Sequence, residues 1–409
     1  MTSDDPGASA AARAGRAGTV GEVFRAFLLL GVTSFGGPIA HLGYFRNEFV
    51  RRRAWLGDDE YADLVALGQF LPGPASSQVG FALGLLRAGP LGAIAAWTAF
   101  TLPSAILLVG FAYGASLVDG VVGAGVLDGL KIVAVAIVAQ AVWGMARTLA
   151  PDARRASIAA AGAIVMLFAS GWIGPVGAIA IGAVAGLVLC RSAHEGLSDA
   201  PALPVTRRAG AVSLAVLGLL LVALPVAAAT TGIRMLEVAD AFFRAGALVF
   251  GGGHVVLPLL QAEVVTGGWV SSEEFLAGYG AAQAVPGPLF TFAAYLGALA
   301  SPGAMGLLTA AVALVAVFAP GLLLMVGVLP FWNTFRQHAA AQALLRGANA
   351  AVVGILAAAL YDPLFTTAIV DDTSFALALV CFVLLMAWRV PTWAVVLVAA
   401  VGGALLALV

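Results

Sequence analysis

Apolar runs long enough to cross a bilayer recur from about residue 90 to the C-terminus. They predict spanning helices at 91–115, 125–149, 209–230, 303–329, 343–361 and 391–409. Shorter runs at 157–170, 174–190 and 374–388 predict further crossings in a thin or tilted region. Four segments interrupt this pattern: 22–50, 58–87, 238–265 and 272–301. Each reads as two short helices split by Gly-Gly-Pro, Pro-Gly-Pro or Gly-Gly-Gly. Proline inside a helix removes a backbone hydrogen bond and clashes with the preceding turn. These points are therefore breaks or re-entrant tips.

The breaks recur in register. Phe35-Gly36-Gly37-Pro38 returns as Phe250-Gly251-Gly252-Gly253. The pairs Glu22/Glu237, Phe27/Phe242, Glu48/Glu263, Trp55/Trp269 and Gln69/Gln283 keep nearly the same offset. So do Pro72-Gly73-Pro74 with Pro286-Gly287-Pro288, Pro103 with Pro320, and Leu127-Asp128-Gly129 with Leu345-Arg346-Gly347. Chance apolar similarity would not keep Gln-x-x-Pro-Gly-Pro aligned, so the chain is two copies of one unit. Residues 21–191 form the first repeat and 231–409 the second, joined by a connector at 192–208 and one unmatched span at 209–230. An odd span between like halves inverts the second, as in many secondary transporters. The expected fold is an all-α polytopic membrane protein with two homologous halves in inverted (antiparallel) topology. Its broken, re-entrant helices meet near the midplane.

Composition sharpens this. The 409 residues are 62% hydrophobic and 10% charged, where a soluble domain carries about 25% charged residues. A globular cytosolic enzyme, a disulfide scaffold, a disordered chain and a nucleic-acid binder are excluded. Cys190 and Cys381 lie in apolar runs and read as small buried hydrophobes, without metal-ligand spacing. Residues 1–20 are polar, small and glycine-rich, with no signal-peptide core, and read as a disordered cytoplasmic tail. If each broken pair spans, thirteen spans result and the Arg51–Arg53 cluster faces outside. If each is a hairpin, nine spans remain, and the arginines gather inside while Glu263, Glu273, Glu274, Asp362, Asp371 and Asp372 fall outside. The positive-inside rule favours the hairpins.

Irregular backbone at membrane depth survives only where it lines protein or a water-filled cavity. Four breaks in repeat register thus point to one site: Gly36, Gly37 and Pro38; Pro72, Gly73 and Pro74; Gly251, Gly252 and Gly253; Pro286, Gly287 and Pro288. New helices are expected at Pro74 and Pro288, and near Pro38 and Gly253. Each helix start carries free N–H donors and a partial positive charge, which suits an anion. Ser76, Ser77 and Gln78 follow the first Pro-Gly-Pro, whereas Thr291 alone keeps a hydroxyl after the second. Gln69 and Gln283 precede these motifs, and Arg244 lies two turns before Gly251. The bland alternative is that Gly and Pro only allow close packing or kinks. Repetition in register favours the binding reading.

Embedded charges are expensive in lipid. Lys131 sits one turn after Asp128, where an i, i+3 pair would neutralise it locally. Arg346 is the cation at this level of the second half. His41 and His254 follow the first and third breaks, where a histidine could carry protons for coupling or be satisfied structurally. Glu22 and Glu237 lie at helix starts, where carboxylates stabilise the dipole. Trp55 and Trp269 read as interfacial anchors. No His-Glu-x-x-His or Gly-x-Ser-x-Gly motif is present, which argues against a membrane-embedded enzyme. No cofactor is implied.

Four motifs together resemble the chromate ion transporter family in its long, two-domain form. They are Phe35-Gly-Gly-Pro-x-Ala-His-x-Gly-Tyr-Phe-Arg-x-Glu-Phe, Gln69-Phe-Leu-Pro-Gly-Pro-Ala-Ser-Ser-Gln, Phe250-Gly-Gly-Gly-His-Val-Val-Leu-Pro-Leu-Leu and Gln283-Ala-Val-Pro-Gly-Pro-Leu-Phe. The resemblance implies a bacterial inner-membrane protein that exports chromate and confers chromate resistance, with sulfate as competing or exchanged anion. Its implied partners are these oxyanions and the lipid bilayer, with a homodimer as a compatible assembly and no nucleic acid. A sulfate or other anion carrier, or an anion channel on the same scaffold, is the alternative.

Overall fold

The computed structural model describes residues 18–115, 120–169, 171, 173–190, 205–332 and 338–408. Most of the expected tail and connector fall outside these residues. Every regular element described is helical.

Each helix boundary has a local cause. Thr19 caps α1 (Val20–Thr33) by accepting from the Glu22 N–H, and Ser271 and Glu274 form a reciprocal capping box on α11 (Ser272–Ala284). The other elements of the first half are α2 (Gly37–Phe45), α3 (Asp58–Phe70), α4 (Ala75–Gly114), α5 (Val121–Leu149), α6 (Ala153–Phe168) and α7 (Ile173–Leu189). The unmatched helix α8 (Arg207–Thr231) follows. The second half adds α9 (Arg234–Ala247), α10 (Val256–Val264), α12 (Phe292–Leu299), α13 (Met305–Val328), α14 (Ala339–Ala359), α15 (Asp372–Met386) and α16 (Thr392–Leu406).

The expected breaks are present to within a residue. Gly36 sits in the left-handed region before α2, and Pro38 occupies its first turn. Pro74 and Pro288 cap their helices rather than begin them. The third break leads into a single tight turn, Gly253–Val255, before α10. Two expectations shift. The span at 91–115 is the far arm of the 40-residue α4, which kinks at Ala88 and Gly89 ahead of Pro90. The span at 391–409 yields a helix of 15 residues that starts just after Pro391 and ends at Leu406. Five helices among the described residues are long and apolar enough to cross a membrane.

The broken segments turn back on themselves. The Trp55 indole, beyond α2, donates to Glu22 at the start of α1 (3.1 Å). Arg87, at the end of the first arm of α4, pairs with the same carboxylate (3.2 Å). Residues 22, 55 and 87 therefore meet at one end, and the Gly36 and Gly73 breaks are the tips of two hairpins. In the second half Arg234 stacks over Trp269 (4.9 Å), closing the α9–α10 hairpin in the same way. Trp55 is buried under Arg53 and Arg87, so it clamps the hairpin bases together rather than floating at a lipid surface.

The halves share their core. α5 packs on α15 and α16 of the second half, while α14 packs on α6 and α7 of the first. Small residues permit this. A methyl on Gly129 would overlap the Ala399 carbonyl, and one on Gly347 would overlap the Gly182 carbonyl. Gly182 lies against Ala351 and Gly186 against Ala343, so α7 and α14 run in opposite senses. Gly125 lies against Gly403 and Gly129 against Ala399, and α5 and α16 do the same.

Candidate anion-binding site

The hairpin tips meet across the two halves. The Gly73 N–H donates to the Val249 carbonyl (2.7 Å), and the Gly287 N–H donates to the Ser34 carbonyl (2.9 Å). Val249 and Ser34 precede the paired Phe-Gly-Gly motifs at equivalent positions, so the two bonds are one contact made twice. Each Pro-Gly-Pro glycine also lies against the residue after the matched proline of the opposite half. Gly73 approaches Gly321 and Gly287 approaches Ser104, at positive φ values of 123° and 103°. A fifth approach brings Gly253 against Pro38.

Side chains fill this meeting point with polar groups. His41 Nε2 donates to the Ser34 carbonyl (3.2 Å), since that oxygen can only accept, and Nδ1 faces the Ser76 hydroxyl (3.4 Å). Gln78 Nε2 donates to two carbonyls, Pro72 of its own half and Gly321 of the other, both at 3.0 Å. Thr291 donates to the Pro288 carbonyl (2.8 Å) and accepts from Ser104 (2.9 Å). All these side chains are at most 2% exposed. The cluster is closed to the outside.

Within it, several atoms have no hydrogen-bond partner in the protein: the hydroxyls of Ser34, Ser77 and Thr101, and Oε1 of Gln78. An unpaired buried polar atom is costly; Ser34 ends α1, Ser77 and Gln78 stand in the first turn of α4, and Thr101 lies in its far arm. Ser34, Thr101 and Ser104 were not among the residues picked from the sequence. The available signal was their spacing: Ser34 directly precedes Phe35-Gly-Gly, and Thr101 and Ser104 flank the matched Pro103.

The expected cations are held elsewhere. Arg244 binds Asp240 (2.8 Å) and Glu263 (3.0 Å), joining α9 to α10 on either side of the third break. Two carboxylates hold the guanidinium that the sequence placed two turns before the third break. Lys131 pairs with Asp128 (2.6 Å), as the spacing predicts, and reaches Glu273 (3.6 Å). Arg346 donates to the Cys190 carbonyl just past α7 (3.2 Å) and to Gln342 one turn earlier on its own helix (3.1 Å). His254 bonds Tyr279 (2.7 Å) inside the second half. Gly36 and Gln69 are exposed, Gln283 is partly covered, and Gly251 faces Leu149 and Asn349. Gly37, Gly252 and Pro286 complete the tips, and Pro72 does so through the carbonyl that accepts from Gln78.

The family pattern described as chromate transporter matches residues 21–187 and again 236–404. The chain belongs to the chromate transporter family. The two matches coincide with α1–α7 and α9–α16, which leaves α8 as the unmatched link between two like halves. With its apolar helices, this family membership makes the chain a multi-pass membrane protein. Among relatives, a probable chromate transport protein of Synechococcus elongatus is 27% identical, covering 92% of this chain and 93% of its own. A chromate transport protein of Cupriavidus metallidurans is 28% identical, covering 91% and 89%. One from Pseudomonas aeruginosa is 28% identical over 83% and 80%. No solved structure matches this member of the chromate transporter family.

Proposed function

We propose that the protein is a secondary transporter that exports chromate across the bacterial inner membrane and so confers chromate resistance. The observation that carries this reading is the buried meeting of four hairpin tips beside unpartnered hydroxyls. Family membership and the names of the relatives support chromate as the cargo. The substrate site comprises the tip glycines and prolines with Ser76, Ser77 and Gln78 on the first half, while Thr291 opposite braces the second tip. The halves are inverted, with the hairpins re-entrant from opposite sides of the membrane. The reciprocal packing of α5 and α14 on opposite halves supports this arrangement.

Export of an oxyanion is electrically favourable, since each outgoing negative charge gains about 2.3 kcal/mol per 100 mV of inside-negative potential. Sulfate, tetrahedral like chromate, competes for the same hydroxyl donors, and its strength as a competitor reports what else the site reads. The closure of the site on all sides favours a carrier that alternates its access over an open channel. Purified protein in liposomes, loaded with chromate on one side, tests the reading. A carrier gives saturable chromate flux; non-saturating conductance would indicate a channel, and no chromate flux would refute the assignment.

A further inference from the structure

Resting on the carrier reading, we infer that the Lys131–Glu273 pair between the halves is a gate that holds one route to the site shut. Arg346 and Asp59 form the matching gate of a second route, which stands open. Two matched parts of the halves are packed differently, and the gates lie where they differ.

Elsewhere the repeat is kept closely. Gly125 against Gly403 and Gly129 against Ala399, between α5 and α16, return as Ala343 against Gly186 and Gly347 against Gly182, between α14 and α7. These two helix pairs are therefore counterparts. So are α11 and α3, through Gln283 and Gln69. Yet α11 packs on α5 and α16, whereas neither α14 nor α7 makes a comparable contact with α3 among the described residues. Gly280 of α11 lies so close to the Leu130 carbonyl that a methyl there would overlap it. Ala66 stands at the equivalent place on α3 and is exposed. Likewise Leu276 is buried, and its equivalent Ala62 is exposed.

Asp59, Ala62, Ala66 and Gln69 share one face of α3, and all are exposed. That face carries no large apolar side chain, unlike the exposed Ile181, Val184 and Val188 of α7. A polar amide beside a re-entrant tip needs water. The face therefore lines an aqueous vestibule, which reaches Gln69 and the exposed Gly36 and ends at the buried cluster.

The shut route is latched weakly. Lys131 of α5 reaches Glu273 at the start of α11 (3.6 Å) and keeps Asp128 of its own helix (2.6 Å). The Glu273 side chain is 74% exposed. Parting the helices returns Glu273 to water and leaves Lys131 with a partner, so little is lost. The open route has matching parts. Asp59 is the repeat counterpart of Glu273, and Arg346, the counterpart of Asp128, supplies the cation one turn from the position of Lys131. Arg346 is bound to the Cys190 carbonyl and to Gln342, both neutral, so Asp59 can take its charge when α14 closes on α3. Exchanging the two packings opens the site to one side and then the other, as inverted repeats allow.

The test uses the full chain in liposomes, with Cys190 and Cys381 replaced by alanine. Lys131→Cys with Glu273→Cys, joined by a reducible bifunctional thiol reagent, locks the shut route. Asp59→Cys with Arg346→Cys locks the other. Each cross-link is expected to form during turnover and to lower chromate flux about tenfold or more, and reduction is expected to restore it. Flux that survives the first cross-link, or failure of the second to form with chromate on both sides, would overturn the inference. Single variants give a measurement that needs no paired substitution. Without chromate, Gln69→Cys is expected to react with a membrane-impermeant maleimide about tenfold faster than Ala277→Cys. Equal rates, or an unreactive Gln69→Cys, would overturn it as well. Absence of saturable chromate flux in the unaltered chain would instead overturn the transport reading beneath it.

Discussion

Ser104 of the first half donates to Thr291 of the second across 2.9 Å, and the Thr291 hydroxyl in turn donates to the Pro288 carbonyl. Its repeat partner Ser77 has no such commitment. Two hydroxyls at matched positions thus have different work: Thr291 ties a tip together, and Ser77 has a proton to offer.

Ser77→Ala is expected to lower kcat/KM for chromate at least tenfold, since a hydrogen bond to a charged group contributes roughly 1.5–3 kcal/mol. Thr291→Val is expected to act mainly on stability, lowering the melting temperature in detergent while KM moves little. Equal KM effects in the two variants would contradict this division.

Gly73→Ala and Gly287→Ala place a methyl at positive φ, which costs roughly 1–2 kcal/mol for any residue but glycine. The Gly73 methyl also meets the Gly321 Cα at 2.9 Å, whereas that of Gly287 meets the Ser104 hydroxyl at 3.0 Å. A side-chain hydroxyl can rotate away and a backbone carbon cannot. Gly73→Ala is therefore expected to lose more flux and more thermal stability than Gly287→Ala, as measured on matched amounts of membrane-inserted protein.

Removing Arg244 leaves Asp240 and Glu263 facing each other without their cation. Breaking such a buried network costs roughly 3–5 kcal/mol, and the partial exposure here places Arg244→Met at the low end, about 3 kcal/mol. Adding Glu263→Gln to Arg244→Met should restore part of the loss. If the double variant melts no higher than the single one, the triad is not the source of the effect.

Asp371 caps α15 by accepting from the Ser374 N–H (2.7 Å), and this bond holds its carboxyl below the usual range. A lowered folded-state value means stability that is present above the unfolded pKa and lost as pH falls through the folded one. The melting temperature should therefore decline in acid, and Asp371→Ala should flatten that part of the profile. Circular dichroism melts between pH 6 and 3 would read it.

The positions of the breaks were legible in the sequence because proline and glycine act through local geometry. The hairpin bases were not. Glu22, Trp55 and Arg87 come from three elements, and nothing in a one-dimensional pattern shows that they share an ion pair and an indole. Arg244 was half legible: Asp240 stands at i−4, but Glu263 arrives from beyond the break. Ser34 and Thr101 were overlooked because a lone hydroxyl in an apolar run resembles any helix-tolerated serine or threonine. Only the fold shows that their oxygens are buried without a partner.

The exchange of partners between the halves also bears on how the protein is made. When the ribosome has delivered residues through α7, the glycine face of α5 has no covering helices, because α15 and α16 are the last to be synthesised. The early half must wait in the bilayer as an unfinished surface until the chain is nearly complete. A truncation just before α15 would strand it there, exposing Gly125 and Gly129 to the quality-control proteases of the membrane.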